Sequence, residues 1–98
     1  MRVLFRPEAR AEALEARGWY ESRSPGLGLD FVRALEASVA SAVRNPEAFA
    51  FVEGQLRRVI FRRFPYSLIF RVFPEYLLIV AVFHHRREPR SLAGRVGG

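Results

Sequence analysis

The chain has 98 residues, with 16 Lys or Arg against 10 Asp or Glu, a formal net charge of +6 and a pI near 11.2. This length predicts a single domain over residues 1–98 that can bury a core unaided, and the absence of cysteine excludes a disulfide framework and any thiolate-held metal. No apolar run approaches the ~20 residues that span a bilayer, and Arg2 interrupts the start before a signal core develops, so the cytoplasm is the expected compartment and no membrane partner is expected. Every basic residue is arginine. Coding bias accounts for the choice of Arg over Lys, but it does not place arginines in clusters, and a clustered basic surface points to phosphate or acidic partners.

Met1 to Arg6 alternates, with Val3 and Phe5 on one face, and predicts a short strand ended by Pro7. Pro7 and Glu8 suit the first turn of a helix that continues through ARAEALEARGWYESR. Its apolar face is thin: Ala9, Ala13, Ala16 and Tyr20, flanked by Leu14. Trp19 and Tyr20 are expected as buried anchors of its last turn. The segment Ser24 to Gly28 reads as the turn, and a second helix is expected from about Asp30 to Asn45, with Phe31, Leu35, Ser38 and Ala42 on one stripe. The two helices must then form an antiparallel hairpin. Glu47 to Gln55 reads as a connector with a brief extended piece at Ala50 to Val52.

The stretch from Leu56 to Arg90 organises the rest. It predicts three consecutive antiparallel strands, with turns at Phe64-Pro65 and at Phe73-Pro74-Glu75. The fold class is therefore α+β: a first strand, a helix hairpin and a three-stranded meander with the hairpin on one face. Tyr76 to Phe83 is apolar on both faces, as in a strand covered on both sides or covered by a partner. Arg57, Arg58, Arg62 and Arg63, then His84 to Arg87 and Arg90, bracket the apolar runs and predict a cationic rim at the strand ends. Glu88-Pro89 should stop the sheet, with a turn of helix between Arg90 and Arg95.

No hydrolase triad fits, because Asp30 is the only aspartate and no serine lies in a nucleophile elbow. His84 and His85 are adjacent, so on a strand they point to opposite faces and do not share a metal; no metal or other cofactor is expected. Metal-free RNA cleavage needs a base, an acid and cations for the phosphate, parts that Arg71, His85 and Arg87 could supply.

The segments AEALEARGWYESRSPGLGLDF, Asn45-Pro46, RRVIFRRFPYSLIFRV and VFHHRREP resemble, in order and spacing, the RelE/ParE superfamily of type II toxin–antitoxin toxins, closest to its ParE-like, plasmid-stabilisation branch. One departure is Leu92, where many relatives have an aromatic before the final Arg, here Arg95. The resemblance implies the same strand, hairpin and meander. It implies a growth-inhibiting toxin with a cognate acidic antitoxin, as a toxin–antitoxin hetero-oligomer or a homodimer. Binding of target or antitoxin would fall to Arg57, Arg58, Arg62, Arg63, Arg86, Arg87 and Arg90. ParE-like relatives poison DNA gyrase through protein contacts, whereas RelE-like relatives are ribosome-dependent mRNA endonucleases. A third class binds only its antitoxin. Ser67 stands where the nucleases carry an arginine, although His85 falls near the terminal His of some relatives, so gyrase inhibition is favoured over catalysis.

Overall fold

The computed structural model describes residues 1–87 and 92–96. The predicted stop at Glu88-Pro89 and the rim residue Arg90 lie outside the described residues. Strand β1 (Arg2–Phe5) leads into helix α1 (Pro7–Arg23) and then helix α2 (Leu27–Arg44). A short 3-10 turn precedes strands β2 (Phe51–Glu53), β3 (Leu56–Ile60), β4 (Tyr66–Val72) and β5 (Tyr76–His84). They form one five-stranded sheet in the order β1-β5-β4-β3-β2. The expected α+β architecture holds, with two refinements: the extended piece near Phe51 pairs as a strand, and β1 joins the sheet parallel to β5.

The helix boundary differs from expectation. Leu27 and Gly28 belong to α2, and only Ser24 to Gly26 turn the chain. The cause is Glu21, whose carboxylate accepts the N–H groups of Gly26 and Gly28 at 3.1 and 3.0 Å. An acid carried by α1 thus satisfies amide donors that the start of α2 would leave unpaired, at the positive end of its dipole. Gly26 supplies the left-handed backbone, φ 90°, that lets the turn close so tightly. Gly28 serves close approach: a Cβ there would lie 2.9 Å from the Arg17 carbonyl oxygen and 3.0 Å from Glu21 Cβ. Gly28→Ala should therefore push the helices apart and lower stability by about 1–3 kcal/mol, the usual scale of overpacking. Urea denaturation checks this, and a variant as stable as the parent would show that the hairpin yields freely.

Helices cover one face of the sheet. Phe31, Leu35 and Ala42 of α2 and Ala9 and Ala16 of α1 pack against Val59, Leu68, Phe70, Leu77, Ile79 and Val82. The predicted stripes of both helices are thus the buried ones, apart from Leu14, which is exposed. On the other face a smaller cluster gathers Leu56, Ile69, Val80, Ala81 and Phe83 under Leu92. That explains the doubly apolar β5: helices cover it on one side and Leu92 packs on the other. The register shift opposite Ile69 and Phe70 makes Val80 the extra residue, so Val80 and Ala81 both join the smaller cluster before alternation resumes at Val82.

Two expected positions are corrected. Trp19 is 51% exposed, because Tyr20 takes the inward place and packs on Phe31, Phe64 and Tyr66. Arg57 and Arg58 lie within β3 and are half-buried instead of forming an open rim. Arg57 donates to the Phe49 carbonyl at 2.7 Å and stacks over Phe51 at 3.9 Å, while Arg58 lies 5.9 Å from the Phe83 ring.

Candidate protein-binding groove

The path of the chain at its start creates a concavity. β1 pairs with β5 only as far as Phe5 and Ile79, and Arg6 closes the pairing with an N–H bond to the Ile79 carbonyl at 2.9 Å. Pro7 then turns the chain into α1, so Val80 to His84 have no strand beside them on that edge. Side chains stand in for the missing strand. The Val82 N–H donates to Glu12 Oε1 at 3.0 Å, and Arg95 donates to the Val80 carbonyl at 3.3 Å. Arg95 also grips the Glu12 carboxylate with both Nη atoms, at 2.9 and 3.1 Å. Hydrogen bonding to Glu12 raises the Arg95 pKa, so the guanidinium stays charged and the fork geometry is maintained.

Beside this clamp lies a groove of about 620 Å³ between α1 and the β5 edge. Ala16, Trp19 and Tyr20 of α1 line it together with Tyr66, His84, Arg86 and Arg87. The rings form a continuous series, with centroids 5.0 Å apart from Trp19 to Tyr20, 6.1 Å from Tyr20 to Tyr66 and 5.2 Å from Tyr66 to His84. Arg23 covers the Trp19 ring at 4.5 Å. Burial raises the pKa of both Tyr20 and Tyr66, so these phenols remain neutral donors. Half-exposed Trp and Tyr beside Arg is the composition of residues that dominate protein–protein binding energy.

The candidate nuclease residues do not converge. Arg71 lies over the Phe73 ring at 4.6 Å, four residues along β4 from Ser67, roughly 13 Å away at ~3.3 Å per residue. His85 sits on the face away from the helices, where its Nε2 meets Ser67 Oγ at 2.9 Å. Ser67 is fully buried, so its hydroxyl anchors the imidazole and is closed to substrate. Arg87 points the other way and reaches Glu15 of α1 at 3.8 Å, an exposed pair of little energetic weight. The two histidines part as expected, although β5 ends at His84 and His85 begins a 3-10 turn: His84 meets Tyr66 in the groove and His85 meets Ser67 behind it.

Of the remaining candidate cations, Arg62 and Arg63 are exposed in the β3–β4 loop, where Arg63 lies 3.7 Å from Asp30 and 5.5 Å from the Phe64 ring. Arg86 and Arg87 are exposed and belong to the groove. Among the described residues no cluster of His, Asp or Glu has the makings of a metal site. Sequence reasoning missed the groove. The clamp beside it joins Glu12 to Arg95, 83 positions apart, and nothing local in either segment announces the other.

A strand, a helix hairpin and a mixed five-stranded sheet, with an aromatic groove between α1 and β5, define a small α+β protein. The sequence pattern described as the ParE toxin of the type II toxin–antitoxin system, parDE, matches residues 3–89, and the chain belongs to that family. No curated protein sequence matches it. Among solved structures it is similar to a chain of the chromosomal ParDE toxin–antitoxin system from P. aeruginosa, with a TM-score of 0.74 and 19% identity over 86% of this chain and 95% of that one. At that identity the likeness concerns the fold. No helix among the described residues is long and apolar enough to cross a membrane.

Proposed function

We propose that this ParE-family toxin acts in the cytoplasm by binding DNA gyrase through protein contacts, and that a cognate acidic antitoxin neutralises it by covering the same arginine-bearing groove. The observation that carries the reading is the groove itself: Trp19, Tyr20 and Tyr66 offer apolar anchor sites, and beside them stand the exposed Arg86 and Arg87, whose one ion pair among the described residues is the long contact of Arg87 with Glu15. The separation of Arg71, His85 and Arg87 supports contact over catalysis, since acid, base and phosphate cations must meet within hydrogen-bond reach of one substrate. The charge balance of +6 suits an acidic antitoxin, with charge setting encounter rate and the aromatic anchors setting lifetime.

The test is direct. Expression of the chain alone should arrest bacterial growth, co-expression of a short acidic protein encoded beside it should relieve the arrest, and the purified chain should inhibit gyrase supercoiling. Cleavage of translated mRNA with supercoiling unaffected would assign the chain to the endonuclease class instead. No growth effect at all would leave only antitoxin binding.

A further inference from the structure

The backbone N–H of Arg86 donates to Nδ1 of His84 at 3.0 Å. A ring nitrogen accepts only while it carries no proton, so this contact assigns His84 the neutral form with its hydrogen on Nε2. The turn that follows β5, His85–Arg87, is a 3-10 turn, and His85 ties it to the sheet: its N–H donates to the Pro65 carbonyl at 2.9 Å, and its ring meets Ser67 at 2.9 Å. Those bonds hold His85. The Arg86 amide is held by the His84 side chain.

We propose that His84 is a positioning residue for Arg86 of the groove: its neutral imidazole fastens the Arg86 backbone and so sets where Arg86 stands, and protonation unfastens it. A proton on Nδ1 turns the acceptor into a donor facing a donor, and the bond is lost. It also places a third cation beside two arginines.

The surroundings favour the neutral form. Tyr66 of β4 meets the His84 ring edge-on at 5.2 Å, and Glu12, Glu15 and Tyr20 of α1 line the same groove. Glu12 is committed to Arg95 and Val82, and Glu15 lies 3.8 Å from Arg87. Burial, then Arg86, His85 and Arg87, lower the His84 pKa below the usual 6.5. As pH falls below 6.5 the unfolded chain therefore takes up the proton before the folded one. The contribution of the neutral ring to stability is complete above that pH and is lost as pH falls through the folded pKa.

Any effect on partner docking rests on the groove reading above, but the fastening does not, so the experiment uses the free protein. Nitrogen-resolved NMR from about pH 8 to about pH 5 would follow the His84 ring and the hydrogen-exchange protection of the Arg86 amide together. Protection should fall about fivefold, the scale of one net hydrogen bond, with a midpoint that tracks His84. In His84→Asn the side-chain oxygen accepts the same N–H in an Asx-turn, so protection should persist with no inflection. In His84→Phe the ring still packs on Tyr66 but has no acceptor, so protection should be low throughout. An Arg86 amide indifferent to the titration of His84, or full protection in His84→Phe, would overturn the proposal. Failure of the chain to inhibit growth or gyrase would leave each of these results unchanged.

Discussion

Replacing Phe31 by alanine is expected to remove about 3–5 kcal/mol of stability, a large share of the ~5–15 kcal/mol that a domain of this size possesses. Phe31 is fully buried and is where the helix hairpin meets the sheet. Its ring lies 5.5 Å from Tyr20 of α1, 5.6 and 5.3 Å from Phe61 and Phe64 after β3, and 5.0 Å from Tyr66 at the start of β4. Truncation leaves a cavity walled by four rings held on three different segments, and stiff aromatics collapse into such a space poorly. The groove should suffer with the fold, because Tyr20 and Tyr66 line both. Equilibrium urea unfolding measures the loss, with Leu35→Ala as the comparison, since Leu35 is buried in the same stripe of α2 but makes none of these ring contacts. A Phe31→Ala cost no greater than that of Leu35→Ala would show that the aromatic cluster adds nothing beyond buried area.

The contrast between what the sequence disclosed and what it did not follows from the range of the interactions. The stripe Phe31, Leu35, Ser38 and Ala42 was legible because helical periodicity is local, and so was the meander, because its strands are joined by short turns. The position of β1 was not: it pairs with Tyr76 to Ile79 across nearly the whole chain, and the alternation of Val3 and Phe5 specifies a strand without specifying a neighbour. Trp19 and Tyr20 are adjacent on a helix, so only one of them faces the core squarely, and Tyr20 is the one spaced four residues from Ala16. Arg57 and Arg58 looked like a rim because charge suggests solvent, whereas long arginine stems lie along apolar surface and their heads find a carbonyl or a ring. At the candidate site, local reading separated His84 from His85 and picked out Arg86 and Arg87. It gave no sign that Glu12 and Arg95 substitute for an absent strand, since that role exists only once α1 has crossed the end of β5.

Exchange of His85 for glutamine is expected to leave toxicity nearly intact, while Arg86→Ala combined with Arg87→Ala should weaken it strongly. His85 lies on the face away from the groove, and its ring is bonded to the buried Ser67 hydroxyl. Glutamine offers an amide that can hold that same hydroxyl, so the turn stays pinned, but it cannot take or give a proton near neutral pH. Loss of a general acid or base costs ~10² to 10⁴ in rate, so an endonuclease that relied on His85 would become harmless with its fold unchanged. The arginines should behave in the opposite way. Each guanidinium that engages a partner beside an aromatic anchor is worth upwards of ~1 kcal/mol, so removing both should weaken partner affinity by about 30-fold or more. Their truncation should scarcely alter folding, since both are exposed and the ion pair of Arg87 with Glu15 is long. Growth arrest on graded induction, gyrase supercoiling and primer extension on translated message should therefore be read for both variants side by side. A harmless His85→Gln protein with wild-type unfolding, together with a fully toxic double arginine variant, would move the chemistry to the far face of the sheet and end the case for the groove.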